Sequence, residues 1–397
     1  MQDAHPSQLA WLRTGREGLA AMLEAVRHAR ESVGLEIYIL QDCAIGARFR
    51  EALREAALRG VRVRVLVDAF GSIELPADYL ASVRAAGGDC RWFNPLELGR
   101  LSYRDHRKLL VVDDQVAFVG GFNIGTDYDG DGVSEGWRDL GVVARGPWVA
   151  PLHQAFHGMF GAASFRHRRL SRFRRHLVPQ KVSIPGGDLF LLSPGLGRNP
   201  AREALAQDLS RANRVRLTSA YFFPPRRLRR GMSSVVRRGG TVQILLPGPS
   251  DVKFAQMAAR GHYARLLKSG VEIFEYQAAV LHAKRYLLDD VVYVGSANLD
   301  LRSLNINYEI LLRARDAGLA LEGHAQFEED LKHSVQITAE VWRRRPWWNR
   351  LAERVASVVL GRFDLRFAIR QLYRLRAGGA PLRVGRRRSL KRASPKG

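Results

Sequence analysis

Set beneath one another, the two halves of this chain match element for element. LEIYIL at 35 to 40 parallels VRLTSAYFF at 215 to 223, GVRVRVLVD from Gly60 parallels GGTVQILLP from Gly239, and GGDCRWF at 87 to 93 parallels SGVEIFEY at 269 to 276. DHRKLLVVDDQVAFVGGFNIG then parallels LHAKRYLLDDVVYVGSANLD, so each element returns after roughly 175 to 183 residues. A duplication at that spacing calls for two copies of one domain, which suits a chain of 397 residues. Within each copy, short β-branched runs such as VRVRVLV and TVQILL alternate with helical stretches such as GARFREALREAALRG. That alternation predicts an α/β fold: two duplicated α/β/α domains related by a pseudo-twofold axis, each with a largely parallel sheet covered on both faces. The expected boundaries are a first domain at 1 to 165, a basic linker or insertion at 166 to 198, a second domain at 199 to 340 and a basic amphipathic tail at 341 to 397.

The repeat carries a chemical inventory. His106, Lys108 and Asp113 stand as His-any-Lys, four residues, Asp, followed by Gly120, Gly121 and Asn123; the second half gives His282, Lys284, Asp289, Gly295, Ser296 and Asn298. Two such sets, each with Gly-small-any-Asn at nearly the same distance, exclude coincidence. On an extended strand residues two apart share a face, so His106 with Lys108, and His282 with Lys284, point into one site. The second strand of each hairpin returns Asn123 or Asn298 beside them. Facing the halves across the axis gathers two His, two Lys and two Asn around one phosphate, with Ser296 as a further phosphate-binding or packing residue. Two ammonium groups and two carboxamides can hold the non-bridging oxygens with no metal and no cofactor. One neutral imidazole attacks phosphorus; the other, protonated, gives its proton to the departing alcohol and takes one from the incoming alcohol or water. Because imidazole titrates near neutrality, a bell-shaped pH profile is expected.

Each histidine needs an acceptor to orient its second ring nitrogen. In the second half the candidate is Glu309, in NINYEI; in the first half it is Asp139, in GWRDL; both can also be read as ion-pair partners of Arg302 and Arg138. Asp113 and Asp289 complete the motif and are grouped with its catalytic residues, yet five residues beyond the lysine they can equally fix the hairpin turn. DYDGDGVSEG at 127 to 136 lacks the closing glutamate of a calcium loop and reads as a turn-rich loop.

The paired HRKLLVVD and HAKRYLLD, with GGFN and GSAN, resemble the phospholipase D superfamily over roughly residues 15 to 335. HRKLLVVDDQVAFVGGFNIG with WRDL, and GSANLDLRSLNINYE, are more specific and look like bacterial cardiolipin synthases of the short B-type, which lack N-terminal transmembrane helices. The resemblance implies phospholipase D-like domains and a phosphatidyl transferase that makes cardiolipin from phosphatidylglycerol through a phosphohistidine. Carried over by motif, it assigns His106 as nucleophile and His282 as general acid and base, an order that the near symmetry of the halves leaves open. The same residues would serve a phospholipase D, or a transferase with another donor or acceptor, and less readily a phospholipase D-like nuclease.

Formal charge is +24, and the partner is therefore a polyanion, nucleic acid or an anionic membrane. Distribution separates the two. From Arg343 onward 17 Lys and Arg face only Glu353 and Asp364, so this stretch alone carries +15, beside Trp and Leu rather than through an aromatic-lined groove. On a helical wheel Trp347, Trp348, Leu351, Val355, Val358 and Val359 share one arc, with Arg350, Glu353, Arg354 and Ser357 opposite. Trp347, Trp348, Arg350 and Arg354 are thus the expected membrane contacts, the partner is an anionic phospholipid membrane of phosphatidylglycerol and cardiolipin, and nucleic acid is not expected. Cys43 and Cys90 have neither metal-ligand nor disulfide spacing. MQDAHPSQLAWLRTG has no signal-peptide pattern and no stretch reaches a membrane-spanning length, so no transmembrane span is expected; the expected location is peripheral, on the cytoplasmic face of the bacterial inner membrane, although the sequence itself leaves the leaflet open.

Overall fold

The computed structural model describes residues 8–94, 103–163, 179–194 and 198–360. In the first half, β1 (Leu9–Leu12), β2 (Ser32–Ile37), β3 (Arg62–Asp68), β4 (Asp89–Phe93), β5 (Leu109–Val112), β6 (Val116–Gly120) and β7 (Gly141–Arg145) form one sheet in the order β1-β7-β6-β5-β2-β3-β4. In the second half, β8 (Gln180–Ile184), β9 (Gly187–Leu192), β10 (Arg214–Thr218), β11 (Thr241–Pro247), β12 (Glu272–Tyr276), β13 (Arg285–Leu288), β14 (Val291–Gly295), β15 (Glu309–Arg315) and β16 (Ser334–Ile337) form another, ordered β16-β12-β11-β10-β13-β14-β15-β9-β8. Stripped of its two outer strands, the second order repeats the first, as the duplication requires.

Neither sheet is largely parallel. Only β2-β3-β4 and β10-β11-β12 run parallel, and the remaining neighbours are antiparallel. The parallel arm follows from helical crossovers; the antiparallel arm follows from the tight turn after each lysine-bearing segment, which forces the next strand back beside it. Aspartate makes that turn: Asp113, Asp114 and Asp289 have φ of 53°, 55° and 52°, the left-handed region that Asp tolerates better than most residues. A second difference concerns residues 180 to 192, expected within the linker. PGGD there is the turn of the β8-β9 hairpin, with Gly186 at φ 81°, and β9 pairs with β15 as β1 pairs with β7. About half of the expected linker, residues 166–178 and 195–197, and the tail beyond residue 360 lie outside the described residues.

Both faces of each sheet are buried, so alternate residues along one strand enter different cores. Leu110 and Val112 of β5 pack with Leu23, Val26 and Phe49 from the outer helices of the first half, whereas Leu109 and Val111 join a central core shared by both halves. Tyr286 and Leu288 of β13 and Leu287 divide in the same way between the outer core of the second half and the centre. The central core also takes in helices Val149–Ala163 and Ala317–Lys332, one from each half. Polar links lock the halves together: Trp11 Nε1–H donates to the Leu319 carbonyl at 2.9 Å, and Asp330 accepts from both Arg138 (2.6 Å) and Arg285 (2.9 Å).

Candidate active site

The two histidine-lysine segments lie immediately before β5 and β13, and each is bonded across to the other half. Tyr308 N–H donates to the Arg104 carbonyl (2.9 Å) and His106 N–H to the Tyr308 carbonyl (3.0 Å); Arg138 N–H donates to the Val280 carbonyl (2.8 Å) and His282 N–H to the Arg138 carbonyl (2.8 Å). Each histidine is therefore registered against the residue preceding the opposite half's carboxylate. The side chains follow: His106 Nδ1 lies 3.0 Å from Glu309 Oε2, and His282 Nδ1 lies 2.6 Å from Asp139 Oδ2. Read within each half, the carboxylates would have paired the other way. Both are fully buried, so Nδ1 of each ring carries its hydrogen toward a carboxylate and Nε2 is left for chemistry.

The remaining motif residues converge here. Lys108 Nζ donates to the His106 carbonyl at 2.8 Å, and Lys284 Nζ to the His282 carbonyl. Asn123 Oδ1 accepts from Ile39 N–H (3.1 Å) and Asn298 Oδ1 from Tyr221 N–H (3.3 Å), which turns each carboxamide nitrogen away from its anchor. Asn123 Nδ2 is buried with no hydrogen-bond partner among the described residues, a donor that an anionic oxygen would satisfy.

Electrostatics distinguishes the halves. Burial, then the charges of Lys108 and Lys284, push His106 well below the usual imidazole value. His282 is lowered too, by burial and Lys284, but the adjoining Asp139 opposes the shift. Asp139, despite burial, is held below the ordinary carboxylate value by His282 and Lys284 and by its hydrogen bonds to His282 and Leu140 N–H. Burial instead lifts Glu309 to about 7, against Lys108 and the Ser296 hydroxyl. It also lowers Lys108 to about 7 and Lys284 to about 8, so an anion entering the site would restore their protons. Among the described residues no group of three or more His, Cys, Asp and Glu is disposed to hold a metal ion.

Three expected site residues serve elsewhere. Asp113 accepts backbone N–H groups from Arg30 (2.9 Å), Glu31 (2.8 Å) and Ser32 (2.8 Å), and Asp289 those of Asn213 (3.1 Å) and Arg214 (2.7 Å). Five residues of extended chain, ~16 Å, carry each to the far end of its strand from the lysine. They clamp the entry of β2 and β10. Replacing Asp113 by Ala should lower unfolding stability by ~1–3 kcal/mol in urea titrations while leaving turnover per folded molecule unchanged; lost turnover at unchanged stability would return it to the chemistry. Ser296 Oγ–H donates to Glu309 Oε2 at 2.5 Å and accepts from Ile310 N–H at 3.0 Å, so its hydroxyl is spent on fixing Glu309 rather than on phosphate. Its counterpart is glycine because a Cβ on Gly121 would stand 2.1 Å from Asp139 Oδ1.

Sequence reasoning missed the aromatic walls. Tyr38 meets the His106 ring edge-on at 4.7 Å, and Tyr128 and Trp137 lie 5.3 and 5.7 Å from His282. None recurs in the other half, so the repeat could not flag them; only the position of Trp137 two residues before Asp139 hints at its place. The 127 to 136 loop is held by its own turns: Asp131 Oδ1 accepts from the N–H groups of Val133, Ser134 and Glu135, and Tyr276 of the second half donates to the Gly132 carbonyl at 2.6 Å.

Comparison with known proteins agrees with this geometry. The family described as cardiolipin synthase, phospholipase D-like domain, matches residues 22–130 and 205–331. The major cardiolipin synthase of Bacillus subtilis (strain 168) is 31% identical over 354 residues, spanning 87% of this chain and 73% of that protein. Cardiolipin synthase A of Pseudomonas aeruginosa is 32% identical over 362 residues, 88% of this chain and 72% of its own length. Among solved structures, phosphatidylserine synthase of Haemophilus influenzae superposes with a TM-score of 0.70 at 14% identity over 92% of this chain and 96% of that one, and polyphosphate kinase of Porphyromonas gingivalis with 0.54 at 14% identity over 84% and 48%. The structural likenesses speak for the fold alone. Paired motifs, crossed carboxylates and sequence relatives together show that the chain belongs to the cardiolipin synthase family of phospholipase D-like proteins.

Proposed function

We propose that the protein transfers a phosphatidyl group between two molecules of phosphatidylglycerol, releasing glycerol and forming cardiolipin. His106 Nε2 attacks phosphorus, the phosphorus–oxygen bond to glycerol breaks, and His282 protonates the departing oxygen. The terminal hydroxyl of the second phosphatidylglycerol then loses its proton to His282 and attacks the phosphohistidine, breaking the phosphorus–nitrogen bond. Lys108, Lys284, Asn123 and Asn298 hold the non-bridging oxygens throughout. The observation that carries the proposal is the crossed pairing of each histidine with the opposite half's carboxylate. It commits both rings through Nδ1 and supports one site built equally from the two domains. Purified protein incubated with phosphatidylglycerol vesicles should yield cardiolipin and glycerol in equal amounts. Phosphatidic acid as the sole product would make it a hydrolase.

Helix Trp347–Val359 supports action at a membrane surface. Its Glu353 and Ala356 face the protein, while Trp347 (64% exposed), Trp348 (58%), Leu351, Val355 and Val358 face outward, the reverse of a helix built to pack on its own domain. Arg350 and Arg354 flank that face and are also exposed. No helix among the described residues is long and apolar enough to cross a membrane. Trp347→Ser with Trp348→Ser should weaken flotation with phosphatidylglycerol vesicles about tenfold or more, from lost apolar burial. Unchanged flotation would remove this helix from the interface.

A further inference from the structure

Transfer between two phospholipids requires the acceptor's own phosphate to be held while its hydroxyl attacks, and the motif residues are all committed to the donor phosphate. The structure provides a second cationic site beside the first, in the second half. Helix Arg226–Arg237 opens with Arg226, Arg227, Arg229 and Arg230, has no acidic residue in its first turn and no side-chain cap. Four arginines at the positive end of a helix are electrostatically misplaced unless an anion joins them. None has a carboxylate partner among the described residues, and the charged neighbours acting on Arg229 are Arg265 and Arg226. The corresponding helix of the first half, Ala44–Leu58, opens with AIGA instead.

A buried imidazole sits in this cluster. His262, 8% exposed, takes Arg229 Nη1–H on Nδ1 at 3.1 Å and meets the Phe223 ring at 4.6 Å. Its Nε2 and the Nε of Arg229 are buried and have no hydrogen-bond partner among the described residues. Burial and the two arginines Arg229 and Arg265 lower His262 to about 4, so it is a neutral ring amid cations, with a hydrogen on Nε2 to give. The cluster is tied to the reaction centre by a short stretch of backbone. Tyr221 N–H holds Asn298, and Phe223 N–H donates to the Leu299 carbonyl at 2.8 Å. Two residues of extended chain, roughly 7 Å, separate these anchors, so the residue that packs on His262 follows closely on the one that holds Asn298. On its other side the cluster adjoins the outward-facing helix: a Cβ on Gly261 would come within 3.0 Å of the Glu353 carbonyl and of Ser357 Cβ.

From this juxtaposition we infer that Arg226, Arg229, Arg265 and His262 form the subsite for the phosphate of the acceptor phospholipid. The acceptor enters beside His282, on the side of phosphorus that the departing glycerol has vacated, so the subsite belongs to the half that supplies the acid and base. This rests on the proposed transfer reaction and names its second substrate site.

The test separates acceptor binding from phosphatidyl-enzyme formation. A phosphatidyl ester of p-nitrophenol, in mixed micelles of a neutral detergent, serves as donor; phosphatidylglycerol and free glycerol, which has no phosphate, serve as alternative acceptors. Arg229→Gln and Arg265→Gln should raise the apparent KM for phosphatidylglycerol about tenfold or more, as expected for a lost charge-assisted bond to phosphate. Nitrophenol release and transfer to free glycerol should stay within about twofold of wild type. Equal loss with both acceptors, or an unchanged KM for phosphatidylglycerol, overturns the subsite. So does an equal loss of flotation on phosphatidylserine vesicles, which would make the cluster a general contact with anionic surfaces. A wild-type enzyme that releases nitrophenol but never yields a phosphatidyl product other than phosphatidic acid overturns the transfer reaction itself, and the subsite with it.

Discussion

Offered a phosphatidyl ester whose leaving group departs as an anion at neutral pH, the His282→Ala enzyme should still release that group in a burst and stop with phosphate on His106, whereas His106→Ala should show no burst. The two histidines look equivalent in sequence, and the order rests on their surroundings. His106 is driven toward its neutral, nucleophilic form by burial and two lysines, and its carboxylate Glu309, raised to about 7, supplies little countercharge below that pH. His282 keeps an ionised Asp139 at 2.6 Å, which favours the imidazolium that a proton donor must be. A general acid contributes on the order of 10²–10⁴ when the leaving group is a poor one, and a good leaving group makes it dispensable. A nucleophile cannot be bypassed in that way. With phosphatidylglycerol itself both variants should therefore fall by at least about a hundredfold. Peptide mapping of the trapped adduct reads the order directly: phosphate on the peptide bearing residue 282 would reverse it.

How much of this was legible in the sequence depends on how far each interaction reaches. His106, Lys108, Asn123 and their partners in the second half were legible because duplication printed them twice. The crossed carboxylates were not, since His106 to Glu309 spans 203 residues and His282 to Asp139 spans 143, and local spacing says nothing of which half faces which. Asp113 and Asp289 were misplaced for the opposite reason: adjacency in a motif suggested a shared site, whereas a four-residue strand carried them to its other end. Ser296 was ambiguous because a hydroxyl suits phosphate and carboxylate alike, and only the position of Glu309 decides. The mixed sheet was visible in principle, given that a two- or three-residue aspartate turn after VVDD or LLDD cannot join parallel strands. The wheel of residues 347 to 359 found the amphipathic helix and suggested an outward apolar face, but not what holds it that way round, which is helix Lys253–Arg260 and Gly261 taking up the other face.

The unequal carboxylates should also leave separate marks on the pH profile. Asp139 stays ionised throughout the working range, so Asp139→Asn removes a charge at every pH. His282 then loses the interaction that resists the lowering of its pKa by burial and Lys284. Its proton is lost at lower pH, and the alkaline limb of kcat should move toward acid, with about a tenfold loss for each unit that the pKa falls at pH values above it. Glu309 behaves otherwise. Below about 7 it is already protonated, still able to accept from His106 Nδ1, and glutamine imitates it in charge and shape. Glu309→Gln should thus be close to wild type at low pH. Above 7, where the wild-type group ionises, it should fall behind, because Lys108 loses a countercharge that keeps it protonated. That loss should appear chiefly as weaker binding of the anionic substrate, a rise in KM, whereas the Asp139→Asn loss should appear in kcat. Stopped-time assays in mixed micelles from mildly acidic to alkaline pH distinguish the two. Parallel profiles for the two variants would show that the halves are electrostatically equivalent and would withdraw the basis for naming His106 the nucleophile.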